Sequence, residues 1–286
     1  MANTKDLRKR IKSIQNTAKI THAMELVTAA KMKRAQNQAV AGKPYSLLLN
    51  KVLISIANRI DPQTHPLLSK RAVQKSALIF FSSDRGLAGS LNSNLFRQVD
   101  SRLGNIKFIT IGKKARQFVV RTRRDLIADF SLPEKPEIIS VKPIAAFVTS
   151  GFLKEEFDEV YVLYTHFVST LKQVASVRKL LPILNQEILE GLIKEAELLE
   201  TKEPLFEPDA DTVLEAILPQ YILMELYQIL LEVKASEHSA RMIAMKNATE
   251  NAYELIDDLT LTYNSFRQEA ITKEILDISV ASAVLE

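Results

Sequence analysis

Cysteine is absent from this 286-residue chain, which excludes disulfides, thiol catalysis and Cys-ligated metals. Tryptophan is absent too, and glycine is scarce at 7 residues, a composition that suits a helix-rich protein. No stretch approaches about 18 uncharged apolar residues, so no segment reads as a membrane span. The N-terminus lacks the apolar region of a signal peptide and the Arg/Ser-rich character of a transit segment. Any membrane association is therefore expected to run through a partner. Internal repeats and low-complexity tracts are missing as well. With 25% charged residues and 47% hydrophobic ones, the composition is that of a folded chain with room for a sizeable core.

Glycine and proline are also missing from residues 235–281, so an unbroken helix can run through all of them. Apolar or small residues recur at Met245, Ala248, Ala252, Leu255, Leu259, Thr262 and Phe266, a heptad-like seam. The phase then slips and resumes at Ile271, Ile275, Ile278, Ser282 and Leu285. This final helix is expected to begin near Asp209–Thr212, with Thr212 and Glu215 as a capping box and Pro219 as a possible kink site. At a 1.5 Å rise its ~75 residues would span roughly 110 Å. Its exposed face reads as poor in large apolar residues, unlike a face that packs permanently against a partner.

Residues 3–60 supply the other long helix. Leu7, Ile11, Ile14 and Ala18 start a seam, and Ile20, Met24 and Val27 continue it on an adjoining stripe. Gly42 and Pro44 predict a bend or short break, after which Tyr45, Leu48, Val52 and Ile56 resume the period. AspPro at 61–62 and HisPro at 65–66 end it. Neither long helix has a partner nearby in sequence, and pairing the two antiparallel satisfies both.

Between them the pattern changes. Strands are predicted at 76–83, 106–111, 159–166 and 171–181, and helices at 91–103, 113–121 and 143–152, with a Pro-punctuated loop at 133–143. Strand–helix–strand order argues for a parallel-type sheet. An acidic, Pro-spaced linker follows at 187–208. The expected fold class is mixed α+β and α/β: a long antiparallel coiled coil of N- and C-terminal helices (residues 1–60 and 209–286) with an inserted Rossmann-like α/β domain (residues 70–200).

Charge is segregated. Residues 1–34 hold nine Lys/Arg against Asp6 and Glu25, and residues 187–215 hold ten Asp/Glu against Lys194 and Lys202. The basic residues Arg8, Lys9, Arg10, Lys12, Lys19, Lys31, Lys33 and Arg34 are spread around their helix, with no aromatic before Tyr45. That pattern fits an acidic protein partner better than nucleic acid.

The segment SDRGLAGSLN (83–92) lies after a strand and before a helix, the placement of a phosphate-binding loop. It lacks GxGxxG spacing and the Lys-Ser/Thr of a P-loop, and a tight turn packing strand on helix is the favoured reading. His22, His65, His166 and His238 are scattered, with Glu237 beside His238 as the nearest approach to a metal pair. Glu155, Glu156, Asp158 and Glu159 read as a solvated charge run. No catalytic, cofactor or metal constellation is expected. A coiled-coil scaffold and a nucleotide-binding α/β enzyme are the competing readings.

Three patches carry a family resemblance: IKSIQNTAKITHAMELVTAAKM (11–32), SDRGLAG with Asn92, Ser93 and Asn94, and ASEHSARMIAMKNAT (235–249) followed by RQEAITKE (267–274). LLPI (180–183) and LFEPD (205–209) agree with them. In these the chain resembles the γ subunits of F-type ATP synthases over almost its entire length. The resemblance implies a non-catalytic rotor shaft inside a ring of α and β subunits, beside ε and above the c-ring. It would couple ion flow to ATP synthesis and reversible hydrolysis at the cytoplasmic face of a bacterial plasma membrane. It further implies that Met24, Arg267, Gln268, Thr272 and Glu274 meet β subunits, and that Phe206 and Glu207 form a foot on the c-ring. Lys31, Lys33 and Arg34 are assigned to acidic β levers on charge complementarity. The chain departs from the family at Ala281 and Ser282, where a GlyAla pair usually stands, and it lacks the Cys-bearing redox insert of the chloroplast form.

Overall fold

The structure, a computed structural model, describes residues 4–57, 65–99, 106–131, 133–183 and 206–285, the last six in backbone only. The AspPro stop at 61–62 and most of the acidic linker lie outside the described residues. Ten elements follow in order: α1 (Thr4–Ala57), β1 (Ser76–Phe81), α2 (Leu91–Gln98), β2 (Ile106–Ile111), α3 (Lys113–Arg121), β3 (Asp125–Phe130), α4 (Ile138–Leu153), β4 (Glu159–Phe167), β5 (Gln173–Leu181) and α5 (Ala210–Leu285). They divide into two compact units, Met1–Ala29 with Arg241–Glu286, and Ala30–Ala240.

The second unit is built on a five-stranded sheet in the order β3-β2-β1-β4-β5. The β1–β2, β1–β4 and β2–β3 pairs are parallel, and β5 runs antiparallel to β4. A hairpin turn too short for a parallel crossover joins β4 to β5, so antiparallel pairing follows, and the sheet is mixed rather than wholly parallel. Side chains alternate along β1. Ala77, Ile79 and Phe81 face a core shared with α4, with Leu53 and Ile56 of α1 and with Leu218, Ile222 and Leu226 of α5. Leu78 and Phe80 face a second core with α2 and α3, where Phe96 stacks on Phe118 at 4.4 Å and Phe80 meets both edge-on. Burial on both faces explains why β1 reads as a continuous apolar run.

β3 has no counterpart in the sequence expectation. It is an edge strand of half-exposed residues, so it carries no apolar run to detect. α4 begins at Ile138 and not at Pro143, and α1 and α5 continue unbroken through Pro44 and Pro219. Pro44 and Val40 are both exposed, as are Pro219 and Glu215. The carbonyl left unpaired at i−4 thus belongs to a residue that faces water. Gly42 permits a close approach: a Cβ there would stand 2.5 Å from the Gln228 Nε2. The cap of α5 is Asp209, whose Oδ1 accepts the Thr212 N–H at 2.8 Å while its Oδ2 accepts the Thr212 hydroxyl at 3.0 Å. Thr212 donates there and does not itself cap the helix, as the expected box required. α2 ends at Gln98, short of Leu103. One window of α5 is long and apolar enough to cross a membrane. Half of that window is buried, and Leu214, Leu218, Ile222, Leu226 and Leu230 of α5 are core residues of this unit.

Two features of this unit yield predictions. A Cβ on Gly151 would come within 2.5 Å of the ring of Phe157, which is fully buried. Gly151→Ala therefore overpacks a rigid neighbour and is expected to cost about 1–3 kcal/mol, read from the urea midpoint. Asp158 pins the entries of β1 and β4 together: its Oδ2 accepts the Gln74 and Lys75 N–H groups at 2.8 and 3.0 Å. Those bonds hold its carboxyl below the ordinary value of 3.8. The carboxylate's contribution is thus present above that value and is lost as pH falls through the lower folded-state value. Asp158→Asn should flatten the acid limb of stability between about pH 5 and pH 2, and an unchanged slope would refute this.

In the first unit the buried positions of α1 are Leu7, Ala18, Thr21 and Thr28, with Ile11, Ile14 and Met24 half-buried. Ile20 and Val27, expected in the seam, are 61% and 53% exposed. On α5 the seam is Met245, Thr249, Ala252, Ile256, Leu259, Tyr263 and Phe266. Every second position of the expected seam is thus displaced by one residue: Leu255 and Thr262 are exposed, and Ile256 and Tyr263 are half-buried. Likewise Tyr45 and Leu48 of α1, in the second unit, are half exposed while Leu49 and Leu53 are buried.

Candidate functional site

The candidate contact surface of the first unit rests on two helices joined by small and polar groups. The hydroxyls of Thr21 and Thr249 lie 2.7 Å apart, both residues buried. Each hydroxyl also reaches back to its own helix, Thr21 to the Ala18 carbonyl at 3.0 Å and Thr249 to the Met245 carbonyl at 2.9 Å. Since each carries one hydrogen, one hydroxyl donates across the seam and the other donates back along its helix. Thr28 donates to the Met24 carbonyl at 2.8 Å. Apolar periodicity overlooked these threonines; the available signal was Thr spaced three and seven residues from Ala18 and Thr21.

Met24 is half-buried beside this seam. Arg267, Gln268, Thr272 and Glu274 are all exposed, and so is every other residue from 267 to 279. The surface of α5 is richer in large apolar groups than the sequence suggested. Tyr253, Leu261, Ile275, Leu276 and Ile278 are each more than half exposed, and Leu255 and Ile271 are exposed to a lesser degree. The expectation of a thin polar surface is therefore corrected: Leu255 turns outward because the seam shifts by one residue, and Ile271, Ile275, Leu276 and Ile278 lie where every residue of α5 from 267 to 279 is exposed.

In the second unit the three cations of α1 separate. Lys31 is paired with Glu134, and this bond, followed by the lysine's charge, holds the Glu134 carboxyl below its ordinary value. Lys33 and Arg34 are exposed. Sequence reasoning missed Glu134, which lies in a loop about a hundred residues away. Of the two foot residues, Glu207 is exposed and Phe206 packs partly against the main core.

The 82–92 turn spends its polar groups internally. The Ser82 Oγ accepts the Ala115 N–H at 2.7 Å, Asp84 Oδ1 accepts the Lys113 N–H at 3.0 Å, and the Ser83 carbonyl accepts the Lys114 N–H at 3.2 Å. The first amides of α3 are thereby used by the chain itself. Asn92 and Ser83 exchange side-chain hydrogen bonds at 2.8–3.1 Å, which fastens the turn to α2. The four histidines remain apart. His65 Nδ1 accepts the Leu67 N–H at 3.1 Å, and burial lowers its pKa against a smaller opposing effect of Glu215. Among the described residues no three His, Asp or Glu side chains form a metal-holding group.

The family model described as ATP synthase matches residues 3–285. The ATP synthase gamma chain of Opitutus terrae is 44% identical over 288 residues, covering 98% of either chain. That of Methylacidiphilum infernorum is 42% identical, again covering 98% of either. Among solved structures, a chain of the Tetrahymena thermophila mitochondrial ATP synthase central stalk and c-ring is 26% identical with a TM-score of 0.63. It covers 80% of this chain and 99% of that one. A chain of the Euglena gracilis mitochondrial ATP synthase shares the fold at 19% identity and a TM-score of 0.70, covering 99% of this chain and 94% of that one.

Proposed function

This chain belongs to the ATP synthase gamma-chain family, and from that premise we propose that it is the central rotor shaft of a rotary ATP synthase, coupling ion flow to ATP synthesis and to reverse hydrolysis. The observation that carries this reading is the family match over residues 3–285, nearly the whole chain. The partners are a ring of α and β subunits, an ε subunit and a membrane c-ring. The complex sits at the cytoplasmic face of a bacterial plasma membrane, and the chain itself is non-catalytic.

Within that role residues 1–60 and 209–286 form an antiparallel coiled coil and residues 70–200 a Rossmann-like domain. The observed units divide inside the long helices because their sheet-proximal parts, such as Leu53 and Leu226, join the sheet's core. Met24, Arg267, Gln268, Thr272 and Glu274 meet β subunits, a reading supported by the exposure of residues 267–279. Lys31, Lys33 and Arg34 face acidic β segments, Lys31 from beside Glu134. Phe206 and Glu207 form the foot on the c-ring, Phe206 packing partly against the main core beside it.

Co-expression with the α and β subunits of the same organism tests the proposal. The expected result is a ring complex that retains one copy of this chain and turns a bead fixed to the Ala30–Ala240 unit when ATP is supplied. The isolated chain should hydrolyse no ATP. Hydrolysis by the isolated chain, or a ring that does not retain it, would sink the proposal.

A further inference from the structure

A groove of about 550 Å³ opens in the second unit where α1 passes α5 and the β4–β5 hairpin. Its volume lies within the ~300–1,000 Å³ range of small-molecule sites. Two acids line it, and each already has a base: Arg178 meets Glu225 at 3.0 Å and His166 meets Glu232 at 2.7 Å. The remaining cations, Lys33 and Lys43, are matched by no further acid in the groove.

Two buried donors complete the pattern. The Ser46 hydroxyl and the Gln228 side-chain nitrogen make no hydrogen bond among the described residues. Buried donors are ordinarily satisfied, so something that accepts hydrogen bonds belongs beside them. Gly42, Lys43 and Ser46 lie within one turn of α1, and the Gln228 nitrogen stands against Gly42. Lys43, Ser46 and Gln228 thus all line the groove, the two neutral donors beside the same turn of α1, and both carboxylates of the groove already hold a basic partner. Val40, Leu47 and Phe167 give the rest of it apolar walls.

We propose that this groove binds a phosphomonoester of a small, largely apolar molecule. The phosphate dianion sits at Lys43, Ser46 and Gln228, and the body lies along the apolar wall. A dianion with several acceptor oxygens satisfies all three donors at once, and its charge-assisted bonds are the stronger kind. Among the described residues no three His, Asp or Glu side chains gather there to hold a metal ion instead. The site is separate from the 267–279 surface and does not depend on the shaft reading.

The test titrates the full-length chain with phenyl phosphate, inorganic phosphate and phenol, using ligand-observed saturation-transfer NMR and the shift in melting temperature. Phenyl phosphate should bind most tightly, inorganic phosphate more weakly, and phenol least. Ser46→Ala and Lys43→Gln should each weaken phenyl phosphate about tenfold, the loss expected for one hydrogen bond to a charged group. Gln228→Glu sets a carboxylate against the dianion and should abolish binding, while Lys12→Gln, exposed on α1 outside the groove, should leave it unchanged. Melting curves of the free variants establish that each is folded. The proposal is overturned if no saturation occurs up to about 10 mM, a Kd too weak for a built site. It is equally overturned if the groove variants and Lys12→Gln bind alike, which would mark general attraction to a basic protein or a groove filled by water alone.

Discussion

Gly112→Ala is expected to cost the Ala30–Ala240 unit about 2–6 kcal/mol, a large part of the ~5–15 kcal/mol that holds a typical domain folded. Gly112 follows β2 at φ +102, a region that side chains with a Cβ rarely adopt. A Cβ there would stand 2.3 Å from the Ser82 carbonyl oxygen, which is backbone and cannot swing away. Ser82 is itself fixed, since its N–H donates to the Ile111 carbonyl at 2.9 Å and its hydroxyl accepts the Ala115 N–H. The Gly112 N–H donates to Phe130 of β3 at 3.3 Å, so any shift also strains the sheet edge. Strained backbone (~1–3 kcal/mol) and a clash with an immobile neighbour (~1–3 kcal/mol) therefore add. Urea unfolding should show a lowered midpoint at an unchanged slope. Gly86→Ala is the control: nothing lies within 4 Å of its Cβ position, so a change within about 0.5 kcal/mol is expected. Equal stability of the two variants would refute the account.

The sequence was legible where one physical force dominates. β1, β2 and β4 were visible because burial on both faces demands unbroken apolar runs, and α5 because residues 235–281 contain no breaker. β3 was invisible because an edge strand needs no such run. The prolines of α1 and α5 misled as break signals, since a proline on a solvated helix face leaves its freed carbonyl to water. In the seams, Thr21, Thr28 and Thr249 took positions that an apolar template gave to Ile20, Val27 and Ala248. Contacts between segments far apart in sequence, such as Lys31 with Glu134, leave no local signal at all. The contact surface expected at 267–274 rests on motif alone, because periodicity says nothing of which polar groups a partner meets.

The composition of that seam also bears on how the shaft holds together. Fully burying a Leu-sized side chain contributes about 1.5–3 kcal/mol, and an Ala or Thr contributes far less. A layer of Ala18, Thr21, Thr249 and Ala252 therefore adds little apolar burial and relies on close approach and the Thr21–Thr249 hydrogen bond. An interface of this kind is sensitive to what is placed at its margin, where Met24 lies.

Met24→Lys is expected to impair coupling in the assembled complex far more than it destabilises the free chain. In the antiparallel pairing proposed above, the register that sets Thr21 on Thr249 brings position 24 beside Lys246, which already pairs with Glu250 at 3.8 Å. In the free chain the new ammonium can extend along its stem into water, which limits the loss to about 1 kcal/mol. Inside the ring that escape closes. An unpaired buried cation costs about 3–5 kcal/mol, and the cost is expected to fall unequally on the three rotor orientations if a β carboxylate can pair with the new ammonium in only some of them. One orientation is then held too tightly and the others too loosely, so ATP is hydrolysed without full transmission of torque. The measurement is ion pumping per ATP in reconstituted membranes, beside the hydrolysis rate of the same preparation. The expected result is a larger fall in pumping than in hydrolysis, relieved when Lys246→Gln removes the like charge and only if that repulsion is its source. Met24→Leu, close in volume and uncharged, should couple normally. A Met24→Lys complex that pumps as many ions per ATP as the parent would remove Met24 from the contact surface and leave it a seam residue only.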